Sequence, residues 1–296
     1  MQLAITLEHP DPAYVEDRGG FAMLTYLRGA PERAEHRRIS VSRPHKRFLT
    51  AQEEGRPSAE TGGLGLLVLQ RALLAAEDLG LLLHALDGPQ PWERLRTAKI
   101  PDLDSVFSRV GSRSTEVIER VFRLPSEADL EGEARGAVQR RGLLWLRENA
   151  ERRWSDMLTR ASWLWLEHRN VAKATMHGFP VVAGAHIEGP PGAGELSVGI
   201  RRQTERYAVA VTSKVRGKEV VTDRTTLGLG NRAVGSFARH ARVAIQATVE
   251  LADAQAGSTM RRYRATMPTR AIKYLDNVTR AALESMVDHE ELPDDV

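Results

Sequence analysis

The stretch LGLLVLQRALLAAEDLGLLLHAL, residues 64–86, decides the fold because nearly all of its positions are apolar. Its polar side chains keep to one line and recur at seven-residue intervals: Gln70, Arg71, Glu77, Asp78 and His84. With 3.6 residues per turn, this spacing predicts a helix that is buried on most sides and carries one narrow polar stripe. We expect the polar side chains of this stripe to pair with polar groups of a neighbouring helix or to face water. The alternative is that they form a buried proton-handling or ligand site.

A second helical pattern runs from Ser126 to about Thr175, with glycines at 132, 136 and 142 as candidate breaks. Its apolar line predicts an inner face at positions 143, 146, 150, 154, 157, 158, 161, 164, 165 and 168. Trp145, Trp163 and Leu166 fall on the opposite side and need cover. Another segment of the chain or a second molecule would supply that cover, and the second answer predicts a homodimer.

The period then changes from helical to strand-like. The runs FPVVAGAHIE, ELSVGIRRQ, RYAVAVTSKV and GKEVVTDRTT predict a small antiparallel sheet at about 179–226. Helices are expected over 232–256, with Asn231 as the N-cap, and over 269–287. The predicted fold class is mainly α: a helical bundle with a small antiparallel β-sheet insertion before the last helices.

Residues 1–60 have a different composition, rich in proline, glycine, arginine and histidine. We predict an irregular N-terminal segment there, with RRISVSR (37–43) as a short strand and EEGRPSAETGG (53–63) as a loop. Residues 61–296 would then form the helical bundle domain, with the β insertion inside it.

Composition excludes several classes of site. The chain has no cysteine, which rules out disulfides, thiolate nucleophiles and cysteine-based metal sites. No histidine or carboxylate spacing suggests a metal, and no cofactor is expected. The first residues lack the basic start and apolar core of a secretion signal, and residues 64–86 are too polar to span a bilayer. We therefore predict a soluble, cytoplasmic protein without a membrane partner.

Positive charge is concentrated in two runs, although the formal net charge is only +3. The runs are ERAEHRRISVSRPHKR (32–47) and MRRYRATMPTRAIKY (260–274), and the second mixes tyrosines among its cations. Both could contact nucleic-acid phosphates, or they could simply be solvated surface. The candidate nucleic-acid-binding residues are Arg37, Arg38, Arg43, Lys46, Arg47, Arg261, Arg262 and Arg264.

A polar cluster ends the second helical pattern, in the stretch WLEHRNVAKATMHGFPVVAG (165–184). At 100° per residue, Asn170, Lys173 and His177 point away from the inner face, and Arg169 lies on its flank. Cations in a last helical turn also meet the negative end of the helix dipole, and Gly178 with Pro180 would end the helix. The cluster is therefore either a reactive site or a well-terminated helix.

The segment HRNVAKATMHG resembles the helix-end signature of HEPN-type domains, in which an arginine and a polar residue precede a histidine. It also resembles a variant Asn-x-x-Lys-His-Gly pattern with three residues added before the histidine. The stretch AEDLGLLLHAL (76–86) is similar to an earlier core helix of such proteins. The resemblance covers about residues 64–180 and 231–256, and seven residues separate Arg169 from His177 where the family usually has four to six.

The resemblance implies an RNA-binding or metal-independent RNA-cleaving protein, dimeric as many HEPN domains are, with a role as a bacterial toxin or phage-defence effector. The ribose 2′-OH would attack the adjacent phosphate while His177 moves a proton. Arg169 and Lys173 would stabilise the phosphate charge, and Asn170 would orient the backbone or His177. The alternative is a non-enzymatic interaction protein that binds a protein partner through its outward aromatic face.

Overall fold

The computed structural model describes residues 2–8, 18–112, 115–133, 137–176, 181–183, 207–216, 219–256 and 260–266, and most of these residues are helical. The helices are α1 (Arg18–Arg28), α2 (Ala30–Glu53), α3 (Ser58–Leu86), α4 (Pro91–Thr97), α5 (Ile100–Gly111), α6 (Thr115–Phe122), α7 (Glu127–Glu133), α8 (Ala137–Met176) and α9 (Asn231–Ala256). The strands are β1 (Gln2–Glu8), β2 (Val181–Ala183), β3 (Tyr207–Arg216), β4 (Glu219–Gly228) and β5 (Met260–Thr266). The prediction of a mainly α fold is confirmed.

Helix α3 is the centre of the bundle and contacts α2, α4, α5, α8 and α9. Leu69, Leu79, Leu82 and Leu83 are completely buried, as the apolar pattern predicts. At Gly80 a Cβ atom would lie 2.6 Å from Cε2 of Phe107 on α5, so this close helix contact requires the absence of a side chain. The positions of the polar stripe are partly or fully exposed, which confirms its prediction.

Helix α8 packs its predicted inner face against α3, α5 and α9, and every position of that face is buried. Two tryptophans there satisfy their indole N–H groups with carboxylates. Trp154 donates to Glu250 on α9 at 2.7 Å, and Trp165 donates to Asp104 on α5 at 2.8 Å. These bonds allow bulky rings into the core without an unpaired donor.

The prediction of an irregular N-terminal segment is wrong for residues 18–53, because α1 and α2 occupy them, and the predicted strand at 37–43 is part of α2. Val41, Phe48 and Ala51 are buried at helical spacing, and the interior Pro44 is buried with them. This short apolar line against α3 and α9 outweighs the poor helix signal of the intervening polar residues and proline. The predicted loop at 53–63 is also too long, since only residues 54–57 separate α2 from α3.

Two small antiparallel sheets accompany the helices in the described part of the chain. Strand β1 pairs with β5, with Gln2 opposite Thr266, and so joins the two ends of the described chain. Strands β2, β3 and β4 form a second sheet in that order. They fall in the region where the sequence predicts an inserted sheet; its other residues lie outside the described ones, and the insertion as a whole stays a prediction.

Helix α9 matches its predicted range, with Asn231 as its first residue rather than its N-cap. The carbonyl oxygen of Gly230 accepts the Val234 N–H at 3.0 Å. The helix predicted over 269–287 lies outside the described residues. Among the helices that the structure describes, none is both long and apolar enough to cross a membrane.

Candidate functional site

Arg169 is the one member of the helix-end cluster whose side chain the structure describes. Its Nη1 lies 3.4 Å from Oδ1 of Asp104, and the side chain is 35% exposed. Asn170 and Lys173 belong to the backbone of α8, which ends at Met176, but their side chains and all of His177 lie outside the described residues. The convergence of these four residues therefore stays a prediction.

Asp104 was not anticipated from the sequence, and it changes how Arg169 can act. Its Oδ1 accepts the Trp165 N–H at 2.8 Å as well as facing the Arg169 guanidinium. At 3.4 Å and with partial exposure, the ion pair with Arg169 is a loose one. Asp104 is thus held by the Trp165 N–H, whereas the Arg169 guanidinium is held less tightly.

The cations of α2 fall into two groups. Arg37 binds Asp78 on α3 through two nitrogens, at 2.6 and 3.0 Å, and Arg38 binds Glu35 in the same two-pronged way. Arg43, Lys46 and Arg47 are exposed, and the structure records no ion pair for them among the residues it describes. Arg37 and Arg38 are therefore already paired with carboxylates, whereas Arg43, Lys46 and Arg47 remain available to an anion.

Helix α9 adds cations that the sequence analysis missed. Arg239 and Arg242 are exposed, and α9 packs directly on α2. Burial lowers the pKa of His45 on α2, and the positive charge of Arg242 lowers it further. We call Arg43, Lys46, Arg47, Arg239 and Arg242 together the basic surface. The signal in the sequence was the helical spacing of arginines in NRAVGSFARHAR (231–242).

The contacts of Gly65 show which parts of α2 and α9 lie side by side. A Cβ atom at Gly65 on α3 would lie 3.1 Å from Val234 and 3.5 Å from Phe48. The later part of α2 therefore lies beside the first part of α9. Over the segments 43–50 and 231–242 neither helix carries an acidic residue, so the neighbouring positive charges are not offset by a carboxylate in either segment.

The three predicted arginines of the C-terminal run lie on β5, opposite residues of β1. Arg261 pairs with Leu7, Arg262 with Thr6 and Arg264 with Ala4. The side chains of these three arginines lie outside the described residues, so their part in a nucleic-acid surface stays a prediction.

The outer side of α8 carries a second feature that sequence reasoning found only in part. Trp145 and Leu166 are half-buried, whereas Trp163 is 43% exposed. The ring centroid of Trp163 lies 4.8 Å from that of His240 on α9 and 5.2 Å from that of His168. His168 in turn packs edge-on against Phe237 at 5.0 Å. We call Trp163, His168, Phe237 and His240 the indole–imidazole cluster.

The two histidines of this cluster have different surroundings. His168 is buried, and that burial lowers its pKa; Glu167 opposes the shift and His240 adds to it. Its Nε2 has no hydrogen-bond partner among the described residues. His240 is partly exposed, and its Nδ1 lies 2.8 Å from the Ser236 carbonyl oxygen and 3.1 Å from the Ser236 hydroxyl oxygen.

The polar stripe of α3 behaves as the pairing interpretation predicts. Asp78 binds Arg37, and the backbone oxygen and Nδ1 of His84 both face Arg94, at 3.0 and 3.3 Å. Burial raises the pKa of Glu77, with Asp78 adding to the shift and Arg37 opposing it. These contacts tie α3 to α2 and α4.

In the described part of the chain, no group of three or more histidine, aspartate or glutamate side chains is arranged to hold a metal ion. No protein-family model, no curated protein and no solved structure matches this chain. The site is therefore interpreted from its own residues and contacts.

Proposed function

We propose that the protein binds RNA through the basic surface formed by α2 and α9. The observation that carries the proposal is that two helices in direct contact both carry exposed cations, Arg43, Lys46 and Arg47 on one and Arg239 and Arg242 on the other. Phosphate contacts supply most of the affinity of nucleic-acid binding that does not depend on sequence. Arg37 and Arg38 are left out because carboxylates already hold them.

The test is the salt dependence of binding to a short fluorescent RNA, measured by anisotropy. The triple variant Arg43→Ala, Lys46→Ala, Arg47→Ala should bind more weakly and lower the slope of log K against log salt by about 2 to 3, at roughly 0.7–0.9 per lost phosphate contact. A control variant removes two exposed but ion-paired cations, Arg38→Ala and Arg56→Ala, and should change little. Equal slopes for the wild type and the triple variant would refute the proposal.

We extend the proposal to a HEPN-like ribonuclease site at the end of α8, with residues 179–226 as a β insertion between α8 and α9. The support is limited to the resemblance and to Arg169, a partly exposed guanidinium held loosely by Asp104. In this scheme Arg169 and Lys173 stabilise the phosphate, Asn170 orients, and His177 transfers the proton. A role as a toxin or defence effector, and a cytoplasmic location, belong to this extension.

The cleavage step has its own experiment. The wild type should degrade RNA in the presence of EDTA, and His177→Ala should abolish degradation while the circular dichroism spectrum and the RNA affinity are kept. Intact RNA after incubation with the wild type would remove the cleavage extension and leave RNA binding in place.

A second candidate function is favoured by the exposure of Trp163. An indole that is 43% exposed on a helix face suits a protein interface, either a homodimer or a different partner. If this non-enzymatic interpretation is right, Trp163→Ala should abolish association, measured by light scattering, without an effect on RNA binding.

A further inference from the structure

We infer that the indole–imidazole cluster is a binding site for an unpaired nucleobase, which stacks on the exposed part of Trp163 while the strand continues over the basic surface. This inference rests on the proposed RNA binding and names the form of RNA that the surface accepts. The site uses Trp163 and His240, neither of which belongs to the helix-end cluster.

The first argument is that Trp163 is both exposed and fixed. Its ring lies against His240 with a centroid distance of 4.8 Å and meets His168 edge-on at 5.2 Å and 89°. His240 is itself anchored through its Nδ1 to the Ser236 carbonyl oxygen. A ring whose position is set before binding loses little entropy when a base stacks on it.

The second argument is the charge around the ring. Arg239 is adjacent to His240 on α9, and Arg160 precedes Trp163 by one turn on α8; both are exposed. Arg242 is also exposed on α9, and α9 packs against α2, which carries further exposed cations. A helix is roughly 10–12 Å wide, so a strand crosses it in a few nucleotides. Glu167 lies one turn after Trp163 and is also exposed. Its negative charge therefore bounds the positively charged surface on that side of the Trp163 ring.

The third argument separates single-stranded from double-stranded RNA. Bases in a duplex are paired and stacked on each other, so their faces cannot reach a protein ring. Aromatic side chains beside cations are the common means of holding unpaired bases, and the stacking tolerates any base identity. A surface of phosphate-binding cations alone would accept both forms, so the indole supplies the preference for unpaired RNA.

The experiment compares single-stranded and double-stranded RNA of one sequence, binding to the wild type, Trp163→Ala and Trp163→Phe. We expect Trp163→Ala to weaken single-strand binding about 5- to 100-fold, to leave duplex binding unchanged and to keep the salt slope. Trp163→Phe should restore much of the affinity because it keeps an aromatic face. The matched control is Trp145→Ala, which removes the other outward indole of α8.

The outcomes separate the two proposals. Failure of the wild type to bind either RNA would end both of them. Equal affinity of wild type and Trp163→Ala for single-stranded RNA, with the triple-cation variant still impaired, would overturn the stacking site and keep the basic surface. A change from dimer to monomer in Trp163→Ala, with unchanged RNA affinity, would overturn it in favour of an interface between copies of the chain.

Discussion

The inner and outer faces of α8 carry the same aromatic residue in opposite surroundings. Trp165 on the inner face is 1% exposed, stacks near Phe107 and donates its N–H to Asp104. Trp163, two positions earlier, is 43% exposed and lies on a partly exposed histidine. The inner ring removes apolar surface from water and holds α5 to α8, whereas the outer ring leaves that surface available. The same residue type is therefore part of the core on one face and of the exposed surface on the other.

The largest effect expected from this comparison is on stability. Trp165→Ala should lower the free energy of unfolding by about 3–5 kcal/mol, because it leaves a cavity beside Phe107. Trp163→Ala, the matched outer change, should cost about 1 kcal/mol or less. Urea denaturation followed by circular dichroism measures both. Similar losses for the two variants would mean that the two faces do not differ as described.

Helices α3 and α8 could be predicted from the sequence because the helical spacing of their own apolar residues indicates which face is buried. Helix α2 could not, since its buried line is short and lies among arginines, lysine and a proline, and only its contacts with α3 and α9 make it a helix of the core.

The residues of the candidate site likewise include some with a local signal in the sequence and some without one. The α2 cations stand out as a run in the sequence, whereas Asp104 meets Arg169 from 65 positions away along the chain, by subtraction of their residue numbers. The charge of Arg242 likewise lowers the pKa of His45 only because α9 packs on α2. Such contacts depend on tertiary packing and carry no local signal.

A smaller effect is expected at the contact that joins the inner face to the helix-end cluster. Asp104→Ala removes the acceptor of the buried Trp165 N–H and should cost about 1–3 kcal/mol, the usual penalty for an unsatisfied buried donor. Asp104→Asn keeps an acceptor oxygen and loses only the charge, so it should cost less. The loose pair with Arg169 adds little, since Arg169 is partly exposed. Equal losses in the two variants would point to the charge rather than the hydrogen bond.

The smallest effect concerns pH and the histidine beneath the outer ring. Burial lowers the pKa of His168 in the folded protein, with Glu167 opposing and His240 adding to the shift, while the unfolded chain keeps an ordinary histidine value of about 6.5. Below that pH the unfolded state takes up a proton that the folded state does not. The free energy of unfolding therefore falls as the pH drops from about 7 towards the lower folded pKa.

His168→Phe should make that dependence shallower, because it keeps a ring against Trp163 and Phe237 but cannot take up a proton. At pH 8, the difference in urea midpoint between the wild type and the variant reports packing alone. At pH 5.5, the same difference also includes the contribution of protonation. His45 and His84, whose pKa values burial also lowers, leave part of the acid sensitivity in the variant. Parallel curves for the two proteins would show that the imidazole of His168 takes up its proton as readily folded as unfolded. In that case the base of the indole–imidazole cluster would be open to water, and the contrast between the two faces of α8 would be weaker than the packing indicates.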